Sequence, residues 1–108
     1  MKALSSEQLQ IDESKIVGYL LSHSKGRGKA LFFLGFGFRV EAWQEAAEAI
    51  KAQAIANPVA TAVDSPYGIR YSVDGELTTP SGRRPRVRTV WMLESGSDKL
   101  RFITAFPV

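Results

Sequence analysis

The sequence predicts an α+β domain, with N-terminal helices packed on one face of a four-stranded, mainly antiparallel C-terminal sheet. Three observations lead there. Apolar residues recur at helical spacing before Asn57-Pro58 and alternate after it, and Asp74-Gly75, Ser81-Gly82 and Ser95-Gly96 punctuate the second half as turns. Helices followed by strands place the helices together on one side of the sheet.

Residues 1–14 read as a polar N-terminal arm, strand-like around Leu9 and Ile11, and residues 15–108 as a single α+β domain. Lys15 to Ser22 is a short helix, with Ile16, Tyr19 and Leu20 at i, i+3 and i+4. Gly26 and Gly28 break it, and Lys29 to about Leu34 resumes as helix before Gly35-Phe36-Gly37. A longer amphipathic helix spans roughly Val40 to Ala56, with Trp43, Ala47, Ile50 and Ala54 on one side. Pro58 stops it, because proline lacks the N–H for the ladder and restricts the residue before it. Val59 to Val63, Gly68 to Leu77, Arg86 to Ser95 and Leu100 to Phe106 then read as strands, the last two joined as a hairpin through Gly96. Alternation puts Val87, Thr89, Trp91 and Leu93 on one face, and Phe102, Thr104 and Phe106 together on one face of the final strand.

Composition bounds the class. A chain of 108 residues, 44% hydrophobic with eleven aromatic residues, can bury one core without staples. The absence of cysteine excludes disulfides, thiolate metal sites and cysteine nucleophiles. No secretory leader is read at the N-terminus, and no run approaches the ~18 apolar residues of a spanning helix. A cytoplasmic protein without a membrane partner is the expectation. Net charge is +3 but unevenly spread. Arg83, Arg84, Arg86, Arg88, Lys99 and Arg101 face only Glu94 and Asp98 in one segment, whereas Glu41, Glu45 and Glu48 dominate another. An electropositive face of this kind attracts nucleic acid or another polyanion; it is equally the pattern of a solvated surface.

The stretch from His23 to Lys29 holds the sole histidine, three cations and two glycines. It is not a nucleotide-binding P-loop: His23 stands where that motif needs glycine, Ala30 where it needs Ser or Thr, and a helix precedes it. One histidine and scattered acids give no metal-ligand cluster, and neither Ser22 nor Ser24 has the context of a hydrolase nucleophile. No cofactor is expected. What remains is metal-free phosphodiester chemistry, which needs a base, an acid and cations for the charge growing on phosphate oxygens. Lys29 begins a helix, where free N–H groups add positive potential. Arg88 offers a planar fork for two phosphate oxygens, and His23, with an ordinary pKa of about 6.5, can give or take a proton. Thr104 can bond a phosphate oxygen. Arg27, Tyr67, Tyr71 and Arg86 are candidate substrate-binding residues, the tyrosines by stacking on a base. Each has a plain structural alternative: an exposed loop for His23, a turn for Tyr67, an edge position for Arg88.

Tyr19-Leu20-Leu21, Gly28-Lys29-Ala30-Leu31-Phe32-Phe33, Leu34-Gly35-Phe36, Trp43, Tyr67-Gly68, Arg88-Thr89-Val90-Trp91 and Thr104-Ala105-Phe106-Pro107 occur in that order. This resembles a family of small bacterial proteins and domains of unknown function, patterned Y-x-L, G-x-x-K-A-x-F-F, L-G-F, V-x-T-V-W and T-A-Y/F-P. The resemblance covers roughly residues 15–107; Gly37-Phe38-Arg39 departs from it by lengthening a loop. Members of that family stand alone or are attached to phage-related and polymorphic-toxin proteins. The layout is similar to the barnase–EndoU–colicin–RelE group of ribonuclease toxins, a likeness of fold. It implies active-site roles for a basic residue after the first helix, matched by Lys29, and for a Thr on the last strand, matched by Thr104; Arg88 matches the strand motif.

The leading expectation is a metal-independent ribonuclease or RNA-binding domain of toxin type, with RNA and a cognate protein as partners. The alternative is a non-enzymatic interaction module, toxin-neutralising or phage-associated, presenting Phe32, Phe33, Phe36 and Phe38 to a partner or to a second copy in a homodimer. Aromatics at this spacing are more often core.

Overall fold

A computed structural model describes residues 2–22, 24–25 and 28–108. In chain order it contains β1 (Leu9–Gln10), a helical turn α1 (Glu13–Lys15) running into a π-helical turn (Ile16–Leu20), α2 (Gly28–Gly35), a 3-10 turn (Val40–Ala42), α3 (Trp43–Ala56), β2 (Val59–Ser65), β3 (Gly68–Glu76), β4 (Arg86–Glu94) and β5 (Leu100–Pro107). The sheet order is β1-β5-β4-β3-β2, with β1 parallel to β5 and the other pairs antiparallel. Helices cover one face, as the segregation of periods predicts. Ile16, Leu20, Phe33, Ile50 and Ala54 meet Val73, Val87, Trp91, Phe102 and Ala105 in one core, none more than 1% exposed.

The sheet has five strands where the periodicity predicts four. β1 is two residues long, too short to show alternation, yet Leu9 on it is buried and Gln10 is not. The Gln8 carbonyl accepts the Leu100 N–H (2.8 Å) and the Lys2 carbonyl accepts the Val59 N–H (3.2 Å), so the polar arm lies against both ends of the domain. Burying Leu9 contributes roughly 1.5–3 kcal/mol.

Two local irregularities change which way side chains point. The Leu21 N–H reaches back five residues to the Ile16 carbonyl (2.8 Å), the bond that widens this turn from α to π. The widened turn puts Ile16, Leu20 and Leu21 all in the core while Tyr19 stays half-buried beside them. In β5 the register runs Val90↔Thr104 and then Trp91↔Phe102, leaving Ile103 as an extra residue. This β-bulge corrects the simple alternation: Phe102 shares the core face with Ala105, not with Thr104 and Phe106.

α3 is fastened to the sheet by a buried polar network. Gln53 Nε2 donates to the carbonyls of Val73 (2.9 Å) and Val87 (3.1 Å), Thr89 Oγ1 donates to Gln53 Oε1 (2.8 Å), and Trp91 Nε1 donates to Thr89 Oγ1 (2.9 Å). The Thr89 and Trp91 of the V-x-T-V-W pattern are therefore core residues. Phe33 and Phe38 are buried and Phe32 and Phe36 half-buried; Phe32 and Phe33 meet edge on face, the other neighbouring pairs at a tilt, with centroid distances of 5.0–6.4 Å. Phe33 and Phe38 are core residues and Phe32 packs against that core, so the four do not form an exposed patch.

Candidate anion-binding site

β1 pairs with Leu100 and Arg101 alone, so β5 beyond them has no strand partner on that side among the described residues. The first helical turns pack there instead. Tyr19 from the π turn brings its hydroxyl to 3.2 Å from Thr104 Oγ1 on β5, a hydrogen bond across 85 residues of sequence. Lys15, one helical turn earlier, holds its Nζ 5.6 Å from the Tyr19 ring centroid, and Lys29 from the first turn of α2 holds its own at 5.9 Å. Both are within reach of a cation–π interaction. The sequence places Lys29 and Thr104 in one site; the fold joins them through Tyr19.

The electrostatics follow from that geometry. Tyr19 is held below the ordinary phenol value of 10.0, first by the hydrogen bond from Thr104, with the Lys29 ammonium and then Lys15 adding to it; partial burial opposes them. Two ammoniums, a phenol and a secondary hydroxyl make a donor set suited to an oxyanion. Lysines supply charge, hydroxyls supply directed hydrogen bonds, and the phenol is a group able to pass a proton.

The other predicted residues stand apart. Arg88 is a bidentate partner of Asp74 on the neighbouring strand, Nε to Oδ1 at 2.7 Å and NH2 to Oδ2 at 2.9 Å. Its fork is occupied by a carboxylate, and the pairing holds Asp74 below the ordinary 3.8. Arg86 is exposed at the start of β4, where with Arg84, Asn57 and Glu76 it lines a polar cleft of about 310 Å³. Tyr71 is half-buried opposite Trp91, packed on the core. Tyr67 projects from the β2–β3 turn, 79% exposed. His23 and Arg27 lie outside the described residues. Sequence reasoning missed Tyr19 and Lys15 as site residues. The i, i+4 spacing from Lys15 to Tyr19 was the available signal, since it puts both on one helical face.

Among the described residues no three His, Cys, Asp or Glu side chains gather closely enough to hold a metal ion, and no helix is long and apolar enough to cross a membrane.

No curated protein matches this sequence. The fold is similar to that of a chain in a contact-dependent growth inhibition toxin–immunity protein complex from Klebsiella pneumoniae 342. The two share 20% identity with a TM-score of 0.67 over 91% of this chain and 98% of that one. At that identity the likeness is one of architecture. Residues 2–108, nearly the whole chain including the arm and β1, match a single family, so the protein belongs to the family described as Domain of unknown function (DUF6883).

Proposed function

We propose that the chain is a toxin-type ribonuclease that works without a metal ion, seating the scissile phosphate of RNA against Lys15, Tyr19, Lys29 and Thr104. The observation that carries this reading is the convergence of two ammoniums and two hydroxyls, drawn from four elements, at the free edge of β5. In this reaction the RNA 2′-oxygen attacks phosphorus while its proton passes to a base, and the P–O5′ bond breaks as O5′ takes up a proton from an acid. Lys29 and Lys15 offset the charge that grows on the non-bridging oxygens. Tyr19 carries one of the protons, and the Thr104 hydrogen bond favours its ionised form. His23 is the sequence's candidate for the other carrier. The similarity to a chain from a toxin–immunity complex supports the toxin setting and a cognate protein partner.

The test is incubation of purified protein with total bacterial RNA in EDTA, beside Lys29→Ala and Tyr19→Phe. Cleavage is expected, with each substitution lowering its rate by roughly 10²-fold or more. Intact RNA at high protein concentration would overturn the reading. It would favour the second one, a non-enzymatic module that neutralises a toxin, which the same complex supports because it holds an immunity protein as well.

A further inference from the structure

Tyr67 is 79% exposed, the most exposed large apolar or aromatic side chain among the described residues. The turn beneath it is nevertheless held firmly. Ser65 Oγ donates to the Gly68 carbonyl (2.9 Å) and accepts the Tyr67 N–H (3.2 Å), while the Ser95 N–H donates to the Tyr67 carbonyl (3.4 Å). Pro66 has its own φ fixed by its ring and restricts Ser65 before it. Gly68 follows with φ +138°, pressed so close to β4 that a Cβ would collide with the Leu93 carbonyl oxygen. The backbone that carries the ring is thus held in place, while the ring itself projects into water, where packing gives no reason for it.

Beside Tyr67 lies a hollow of about 290 Å³, lined by Val63, Pro66 and Met92 with Arg70 along its side. Arg70 is exposed, and among the described residues no carboxylate lies within ion-pair distance of it. The hollow opens on the sheet face away from the helices, since Arg70 and Met92 are cross-strand neighbours whose flanking pair, Tyr71 and Trp91, faces the core.

We infer that this hollow is a nucleobase subsite, in which Tyr67 stacks on a base, Arg70 bonds the base's ring-edge acceptors, and Val63 and Met92 form the floor. The inference rests on the RNA reading above and extends it from the phosphate to the base. An exposed aromatic ring on a rigid turn, beside a guanidinium and over an apolar floor, is the combination that base recognition uses in single-stranded RNA. A planar, uncharged, weakly hydrated ring suits it better than a bare anion, which would leave the ring and floor unused. Distance agrees as well. Arg70 stands opposite Met92, and Thr104 opposite Val90 two strands away from Arg70. Strand rise and spacing put the two roughly 12 Å apart. About three to four stacked nucleotides, at roughly 3.4 Å each, cover that span.

The experiment measures binding of a short 2′-O-methyl RNA oligonucleotide, which has no free 2′-hydroxyl to attack, and of its abasic counterpart, by fluorescence anisotropy. Tyr67→Ala and Arg70→Ala should each weaken binding of the base-bearing oligonucleotide roughly tenfold. Tyr67→Phe should keep the affinity, and the abasic strand should be indifferent to Tyr67→Ala. Melting curves confirm that these surface variants fold. If Tyr67→Ala binds as tightly as the parent while Lys29→Ala binds weakly, the subsite is refuted and the RNA reading stands. Equal weakening on the abasic strand also refutes it, because Tyr67 would then be serving something other than a base. If the parent binds neither strand, both readings fall together.

Discussion

Tyr19 carries a phenol whose ionisation its neighbours favour. Its phenol is stabilised as the anion by Thr104, then by Lys29 and Lys15, against the cost of partial burial. Thr104→Val keeps the shape of the side chain and removes the hydroxyl, so the Tyr19 pKa should rise back toward 10.0. Phenolate absorbance in a titration would follow it: one of the three tyrosines should titrate early in the parent, late in Thr104→Val, and vanish in Tyr19→Phe. An unchanged early-titrating tyrosine in Thr104→Val would assign that behaviour to the lysines instead. Linkage gives the sign. A folded pKa below the unfolded one contributes stability that grows as pH rises through the folded value and is complete above 10.0, so this contribution belongs to the alkaline side. Neither half of the pair was legible as a pair in the sequence. Lys29 and Thr104 drew notice through residue type and motif, but their meeting depends on a tyrosine that periodicity assigns to an ordinary helical face.

At the scale of elements, α3 and the sheet depend on Gln53. Gln53→Leu strips two strand carbonyls and Thr89 of a buried partner, and Thr89→Val does the same to Gln53 and the Trp91 indole. Each should cost about 1–3 kcal/mol in urea unfolding, seen as a lower midpoint with an unchanged slope. The double variant should cost less than the two losses added, because removing both ends of a buried hydrogen bond leaves fewer orphans than removing one. The elements themselves were largely readable, although Asp74-Gly75, expected as a turn, runs inside β3 opposite Arg88 and Val87. Asn57-Pro58 ends the long helix at Ala56, and Gly96 with positive φ turns β4 into β5, as the residue types require. What escaped was shorter than a period. Two residues of β1, one widened helical turn and one extra residue in β5 leave no repeating signal for sequence to show, and those three features build the candidate site's edge.

The whole molecule is asymmetric: one sheet face is sealed by helices, and the other carries Arg70, Arg88 and Arg101 around the buried side chains of Val90 and Met92. On the RNA reading proposed above, and with a net charge of +3, binding should weaken as salt rises, its logarithm falling by about 0.7 per phosphate neutralised on a single strand. Lys29→Ala should reduce that slope by about one phosphate contact, whereas Tyr67→Ala should leave it intact while lowering the intercept. Anisotropy titrations across a salt series would separate the two, and a slope indifferent to Lys29 would remove it from the phosphate path.

The extra residue in β5 acts on this asymmetry as a phase switch. Before Ile103 the strand's odd and even positions obey one assignment of inside and outside; after it they obey the other. Phe102 and Ala105 can therefore both be core while Thr104, between them, is released to meet Tyr19. Chain length between Phe102 and Ala105 is thus a structural variable in its own right. A sequence one residue shorter there, with every side chain otherwise conserved in kind, would have to surrender either the buried alanine or the hydroxyl that reaches Tyr19.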